Sequence, residues 1–437
     1  MAVAGVALAR PLTEHTLPMN KSILVVGGGV TGMNAALALA DRVFRVHLVE
    51  KGARLGGLSV ELRRTLEGDD VQAYLLDLID RTAHHPRIQL LTRAVIVDHS
   101  GMPGLFRTGL QVGPQMFYRQ ITHGVTILAT GALPHRPREY LLDEHPAVMT
   151  QLDLDRAIDD RPEKLKNWEK VVMIQCVGSR NEQNPNCSRV CCQAAVKNSI
   201  HIKKLNPEAQ VYVLYRDLRT YGLMEEYYQE ARRLGVIFTR FDTEAPPQVA
   251  ADNGRLTVTF RDPIIGRDLE VDADLVALSA GMVPTDTEEL ASLVKLARTP
   301  EGYFMEAHVK LRPVDMATEG LFVCGTAHSP QLLNESISQA CAAAARAITF
   351  LSQSRLTLSA VTARVESDLC AACLICVRAC PYGVPRINAE GVSEIDEALC
   401  HGCGICAAEC PAKAIQLNWY EDDQLLCKID ALMEAVA

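Results

Sequence analysis

Eight cysteines fall between Cys370 and Cys410 in two runs, CAACLICVRACP and CHGCGICAAECP, that repeat at a spacing of thirty residues. Both read CxxCxxCxxxCP. Iron in sulfide clusters takes soft, anionic ligands, which thiolates supply. In this double spacing the fourth cysteine of each run ligates the other cluster. The pattern predicts one [4Fe–4S] cluster on Cys370, Cys373, Cys376 and Cys410, and a second on Cys400, Cys403, Cys406 and Cys380. Eight purely structural thiols would have no reason to match the spacing twice.

Four more cysteines, Cys176, Cys187, Cys191 and Cys192, lie in CVGSRNEQNPNCSRVCC. The flanking segments EKVVMIQCV and AQVYVLYRD read as strands, with a helix after the cysteines. A dinucleotide-binding domain would put its glycine loop here, yet Gly178 is the only glycine. A nicotinamide cofactor would lose its cradle, which disfavours hydride delivery at this place. The thiols could hold a third cluster, form a redox dithiol or be structural. Cys187, Cys191 and Cys192 stand at the helix start, where partial positive charge favours thiolate. Because C-x10-C-x3-CC is not a widespread ferredoxin spacing, it leaves these readings open.

The third constellation is GGGVTG. Gly27, Gly29 and Gly32 form GxGxxG between an apolar strand, Ile23 to Val26, and a helix from Thr31 to about Asp41. Such glycines permit a tight turn, close approach of backbone to pyrophosphate, and helix–sheet packing. The helix N-terminus turns its positive end to the phosphates. Glu50 ends the next strand, where an acid accepts from adenosine ribose hydroxyls. Lys51 and Gly57 follow in EKGARLGG, Thr130 and Gly131 close LATG, and Gly325 and Thr326 close GLFVCGT. These pieces favour FAD over NAD. They resemble the thioredoxin and glutathione reductase family, in which the late strand and its helix approach the ribityl chain and flavin ring. That family usually has Gly-Asp where this chain has Gly325-Thr326, so one contact to the flavin tail is missing.

The elements that position these groups give an α/β fold: two dinucleotide-binding-type (thioredoxin reductase-like) domains plus a C-terminal α+β two-cluster ferredoxin module. The expected layout is an N-terminal extension (1–20), an FAD-binding domain in two parts (21–150 and 276–352), and an inserted β-α-β domain with the cysteine group (151–275). A linker (353–364), the ferredoxin domain (365–420) and a tail (421–437) complete it. Met19 is an alternative start to Met1. Cys324 and Cys341 read as core packing and Cys427 as a free thiol. His401 reads as solvated surface and EEYYQEARR as an exposed helix face, while Arg216, Arg219 and Tyr221 are candidates for contact with flavin or partner.

Composition narrows the function. The chain of 437 residues carries a net charge of −9 and only 5% aromatics, which argues against a nucleic-acid partner. Fifteen cysteines in tight groups, with no secretory leader, point to metal rather than disulfides and to a reducing, cytoplasmic compartment. No apolar run reaches the length of a membrane-spanning helix.

CVGSR…CSRVCC, followed by YRDLRTYGLMEEYYQEARRLGVIF, resembles the A subunit of heterodisulfide reductase and its bacterial relatives. The resemblance spans roughly Lys21 to Leu417, without the N-terminal cluster domain and inserted ferredoxin of archaeal members. It is closer to the short versions in quinone-interacting oxidoreductase and class II benzoyl-CoA reductase complexes. It implies a third [4Fe–4S] cluster on Cys176, Cys187, Cys191 and Cys192. It further implies an FAD- and iron–sulfur-containing electron-transfer subunit of a multi-subunit oxidoreductase, working with other subunits and with soluble ferredoxin. Substrate chemistry would lie on a partner, and no catalytic acid, base or nucleophile is identified. Electron bifurcation at the flavin is a hypothesis that the resemblance raises. The alternative is a stand-alone NAD(P)H-dependent disulfide reductase with a fused ferredoxin. It predicts a CxxC-type pair soon after Gly57, and LSVELRRTLEGDD has no cysteine.

Overall fold

The computed structural model describes residues 6, 12, 16–165, 167–357, 360–397 and 399–434. Two compact units divide the chain: residues 21–103 with 107–350, and residues 1–20 with 104–106 and 351–437.

The larger unit holds two sheets of one design. In the first, Leu321–Val323, Val125–Leu128, Ser22–Val26, Arg45–Glu50 and Ile88–Thr92 lie side by side, all parallel. Ile23 to Val26 are all buried, as expected of a central strand covered on both faces. The helix Val30–Ala40 follows, packing Gly32, Ala35, Ala36 and Leu39 inward. The second sheet runs Val148–Thr150, Leu275–Ser279, Lys170–Gln175, Gln210–Tyr215 and Ile237–Arg240, again all parallel. Its helix Val190–Leu205 lays Ala195, Val196 and Ile200 on Met173 and Ala277.

Each parallel sheet carries an antiparallel three-stranded meander, Ala94–Met102 to Phe117–His123 in one and Gln248–Asp252 to Arg267–Ala273 in the other. The last meander strand feeds a parallel strand in both cases. The second sheet therefore reaches past residues 151–275 on both sides, taking in Val148–Thr150 and Leu275–Ser279. A short buried apolar run signals a strand without signalling which sheet it joins.

A buried chain of polar groups crosses the first meander. His123 Nδ1 meets the Val125 carbonyl at 3.0 Å and its Nε2 meets Thr108 Oγ1 at 2.8 Å; His99 Nδ1 lies 2.9 Å from the same hydroxyl. Burial, the dominant cause, pushes His99 down to about 4 and His123 to about 3 from an ordinary 6.5. The native state keeps both rings neutral where the unfolded chain binds protons. Stability is then complete above pH ~6.5 and falls as pH drops towards 4, by up to about 1.4 kcal/mol per pH unit for each ring. Urea unfolding between pH 7.5 and 4.5 should show this slope, and His123→Asn should flatten it while weakening the fold at pH 7.5.

The smaller unit is built from the cysteine runs. Helices Ile375–Ala379 and Ile405–Ala408 each start after a residue in the left-handed region, Leu374 and Gly404, thirty positions apart. Cys376 and Cys406 share a small core with Ala363 and Ile415. Strands Ala363–Val365 and Ile415–Leu417 pair, as do Arg386–Ile387 and Ser393–Glu394. Thr16–Pro18 pairs antiparallel with Arg355–Thr357, and Met19 is buried. The end of the N-terminal extension is therefore a strand, as is part of the expected linker; a chain starting at Met19 would lose that pairing. Most of residues 1–15 lie outside the described residues. Among the described residues no helix is long and apolar enough to cross a membrane.

Candidate functional site

The glycine loop is tight enough to forbid side chains at Gly27 and Gly32. Gly27 has φ +115°, and a Cβ there would stand 2.1 Å from the Ala129 carbonyl oxygen; at Gly32 it would stand 1.9 Å from the Gly27 carbonyl oxygen. No side chain caps the helix that follows, whose N-cap is Gly29. Its first amides remain available to an anion. Glu50 accepts from Gly28 N–H at 2.7 Å and from Gly52 N–H at 2.6 Å. The carboxylate thus fixes the loop as well as facing the place expected of a ribose acceptor. Each of its oxygens keeps further acceptor capacity.

Above this loop lies a cavity of about 1060 Å³. Of the residues expected at the flavin, Gly27, Gly29, Glu50, Lys51, Gly57, Thr130, Gly131 and Thr326 line it. Gly32 and Gly325 do not. Gly32 packs against the loop, and Gly325 N–H donates to Gln339 Oε1 at 2.8 Å with its Cα pressed on Thr31. Thr130 Oγ1, Thr287 Oγ1, Gln331 Oε1 and the Gln193 amide border the cavity and find no hydrogen-bond partner in the protein. An uncapped helix start, an excluded Cβ and orphaned polar atoms around one large hollow fit a dinucleotide of the size of FAD.

The second sheet closes the cavity from the other side. Cys191, Gln193, Lys197, Asp155 and Ser279 all line it. Lys197 pairs with Asp155 at 2.7 Å, both almost fully buried, and also donates to the Arg64 carbonyl at 2.9 Å. Sequence reasoning missed this pair. The helix Val190–Leu205 carries several other polar residues, so the lysine gave no distinct signal in the sequence.

The cysteine loop follows Lys170–Gln175, the central strand of its sheet, as the glycine loop follows Ser22–Val26 in the other. The two loops are topological equivalents. Gly178 is pressed against His135, a Cβ being 2.3 Å from its Nε2, so this glycine serves packing and not a phosphate. Cys176 adopts φ +63°, unusual for a residue with a side chain. Burial first, and then the neighbouring thiols, push Cys191 far up and Cys192 up to about 11. Cys176 is also raised, again chiefly by burial. The expectation that the helix start would favour thiolate at Cys191 and Cys192 is corrected: desolvation and mutual repulsion outweigh the helix end. A redox dithiol needs a low-pKa nucleophile. Cys191 is raised further by Cys192, Cys176 and Cys187, so the thiols of this loop lie near one another.

In the smaller unit, Cys370, Cys373, Cys376 and Cys410 line one small apolar cavity. Backbone N–H groups point at the sulfurs: Ser393 to Cys370 and Ala414 to Cys410 at 3.3 Å, and Ala363 to Cys400 at 3.4 Å. Burial, then the charges of Cys400, Cys380 and Cys403, raise Cys406 to about 11. Those are the residues expected to share its cluster. Among the described residues no three His, Cys, Asp or Glu side chains converge on a single ion. A cube of four irons takes one thiolate per iron and needs no such convergence.

The remaining candidates divide. Cys324 is fully buried, but Cys341 is exposed, a correction: Ala340, Ala343, Ala344 and Ala347 make the buried face of its helix and Cys341 falls off it. Cys427 is half-buried in the helix Asp422–Glu434. His401 stacks on Tyr382, ring centroids 3.8 Å apart. In the helix Glu225–Arg233 only Ala231 is buried. Arg216, Arg219 and Tyr221 do not line the flavin cavity. They gather at the cysteine loop instead, where Arg216 donates to the Arg180 carbonyl at 3.0 Å and Tyr221 meets Arg189 and Glu335.

A family profile described as an NAD(P)-binding Rossmann-like domain matches residues 25–90, and one described as a 4Fe-4S dicluster domain matches residues 369–415. The chain is 31% identical to the iron-sulfur A subunit of CoB–CoM heterodisulfide reductase from Methanocaldococcus jannaschii, over 97% of this chain and 78% of that protein. It is 32% identical to the A subunit of the H2/formate:CoB-CoM heterodisulfide,ferredoxin reductase from Methanococcus maripaludis, over 100% of this chain and 81% of that protein. Both alignments run over more positions than this chain has residues, so the relatives carry inserted segments. Among solved structures, thioredoxin reductase of Lactococcus lactis superposes with a TM-score of 0.51 at 14% identity, over 76% of this chain and 99% of that one. Thioredoxin reductase of T. acidophilum gives 0.50 at 16%, over 76% and 98%. At such identity the likeness is one of fold.

Proposed function

The chain belongs to the A-subunit family of heterodisulfide reductases, and from that premise we propose that it joins FAD to three [4Fe–4S] clusters and passes electrons between them. It is an oxidoreductase, an iron–sulfur flavoprotein of the electron-transfer kind. One observation carries the finer reading: Cys191 lines the same cavity as Gly27 and Glu50. A flavin held by the glycine loop would have the cysteine group as its neighbour.

When bound, FAD exchanges electrons in pairs or singly, whereas each cluster exchanges them singly. The protein's share is placement. Glu50 holds the loop that takes the pyrophosphate, with Gly27 making the tight turn, Gly29 letting the phosphates approach and Gly32 packing the loop onto its helix. Lys51, Gly57, Thr130, Gly131 and Thr326 border the flavin, and Gly325 sets the turn behind Thr326. Lys197 keeps a buried positive charge on the cavity wall, balanced by Asp155. Cys176, Cys187, Cys191 and Cys192 take the third cluster; the eight cysteines of the smaller unit take the other two in the crossed arrangement. Residues 21–150 with 276–352 act as the flavin domain, 151–275 as the cysteine domain and 365–420 as the ferredoxin domain.

The partners in this reading are other subunits of a cytoplasmic redox complex, with a soluble ferredoxin as carrier. Bifurcation of an electron pair at the flavin belongs to the same proposal. The test is anaerobic purification with associated subunits, followed by iron and flavin counts: about 12 Fe per FAD for three clusters, about 8 for two. Rapid bleaching of the flavin by NADH without any companion protein would overturn the assignment. A stable, well-populated semiquinone would overturn bifurcation alone.

A further inference from the structure

Beside the cysteine group stands a set of charges that the electron-transfer reading does not use. Arg180, in the same loop, points Nη1 at Cys176 Sγ over 3.9 Å and gives Nη2 to Asp217 at 2.8 Å. Asp217 follows the strand Gln210–Tyr215, and its backbone carbonyl accepts from Cys192 Sγ at 3.7 Å. Two more guanidiniums, Arg219 at 3.7 Å and Arg240 at 4.0 Å, face the same carboxylate. Those two are exposed, and Arg180 is partly buried. One side chain therefore touches a cysteine sulfur directly, and one carboxylate sets its position and offsets its charge.

We infer that Arg180 and Asp217 form a positioning couple that sets the reduction potential of the cluster on Cys176, Cys187, Cys191 and Cys192. The inference rests on the third cluster of the proposed function. Adding an electron makes a cluster more negative. A charge-assisted hydrogen bond to a ligand sulfur stabilises that reduced form, and cluster potentials respond to net charge and to such bonds. Arg180 raises the potential. Asp217 lowers it by its own charge, while holding the guanidinium fork in place. The two residues pull in opposite directions, so they can be separated from a merely structural role, in which both substitutions would loosen the site alike.

The experiment is an EPR-monitored redox titration of the anaerobically purified full chain as wild type, Arg180→Gln, Arg180→Lys and Asp217→Asn, with iron and FAD counted in each. Arg180→Gln should make reduction of one cluster about tenfold less favourable, which is 59 mV lower for one electron. Asp217→Asn should make it several-fold more favourable, and Arg180→Lys should recover part of the loss. The signals of the two ferredoxin-type clusters should not move. Shifts of the same sign in Arg180→Gln and Asp217→Asn, or no shift in either, would overturn the couple. Should Arg180→Gln lose its cluster, Asp217→Asn and Arg180→Lys still decide: both must retain it, and Asp217→Asn must titrate higher than wild type. A wild-type chain with about 8 Fe would instead sink the third cluster itself.

Discussion

Replacing Cys191 with alanine should lower the iron content from about twelve to about eight atoms per chain and leave the FAD in place. Cys191 is one of four thiols grouped at this loop, its own proton affinity raised by burial and then by Cys192, Cys176 and Cys187, and none of the four is held by a disulfide. Removing one leaves an iron without its anionic ligand, so the whole cluster should be lost and not a quarter of it. The glycine loop and the Glu50 contacts lie on the other sheet and are untouched. Anaerobic iron and sulfide analysis with EPR of the dithionite-reduced protein reads the result: one cluster signal should vanish and two should remain. Reduction of the flavin through this cluster should slow at least a hundredfold in stopped-flow with a low-potential donor. Cys341→Ala, at an exposed thiol outside every ligand set, is the control and should change neither count. Twelve irons retained in Cys191→Ala would remove the third cluster from the proposal.

The parts of this site that could be read in the sequence are those fixed by covalent spacing. GxGxxG, the acid at Glu50 and the two CxxCxxCxxxCP runs are local patterns, because a tight turn and a cube of thiolates each constrain residues close in the chain. The strands beside them were visible as apolar runs: SILVV and KVVMIQ are buried nearly throughout. What was not visible depends on pairing across distance. Leu275–Ser279 reads equally well as part of either sheet, and only its register with Lys170–Gln175 decides. The Lys197–Asp155 pair joins residues 42 positions apart, and the Arg180–Asp217 couple joins residues 37 apart. The strand Thr16–Pro18 needs a partner more than three hundred residues away before it is a strand at all. Thiol proton affinity went astray for a related reason. The helix start is a local feature, but burial by other elements is the larger effect.

The glycine loop gives the second large effect, and its size can be argued from two separate costs. Gly27→Ala should reduce bound FAD to less than a tenth of the wild-type ratio. The first cost is backbone: φ is +115°, where an L side chain is strained by roughly 1–2 kcal/mol or more. The second is contact, because the new methyl would sit 2.1 Å from the Ala129 carbonyl oxygen. That oxygen belongs to a main chain held in the sheet, with Ala129 N–H donating to the Val26 carbonyl at 2.8 Å. It cannot swing aside as a flexible side chain could, so the loop must move. Moving it pulls Gly28 N–H from Glu50 and shifts the helix start away from the phosphates. Gly131→Ala makes the comparison sharp. Its φ is +79°, but the nearest protein atom to a new Cβ is Thr326 Oγ1 at 3.8 Å, so no clash within the protein adds to the backbone cost of about 1–2 kcal/mol. That variant should keep more of its flavin than Gly27→Ala, with a lowered melting temperature. Flavin-to-protein absorbance ratios after anaerobic gel filtration, taken with thermal unfolding, separate the two. If Gly27→Ala kept its flavin as well as Gly131→Ala, close backbone approach would not be what holds the dinucleotide, and the cradle would have to lie elsewhere on the cavity wall.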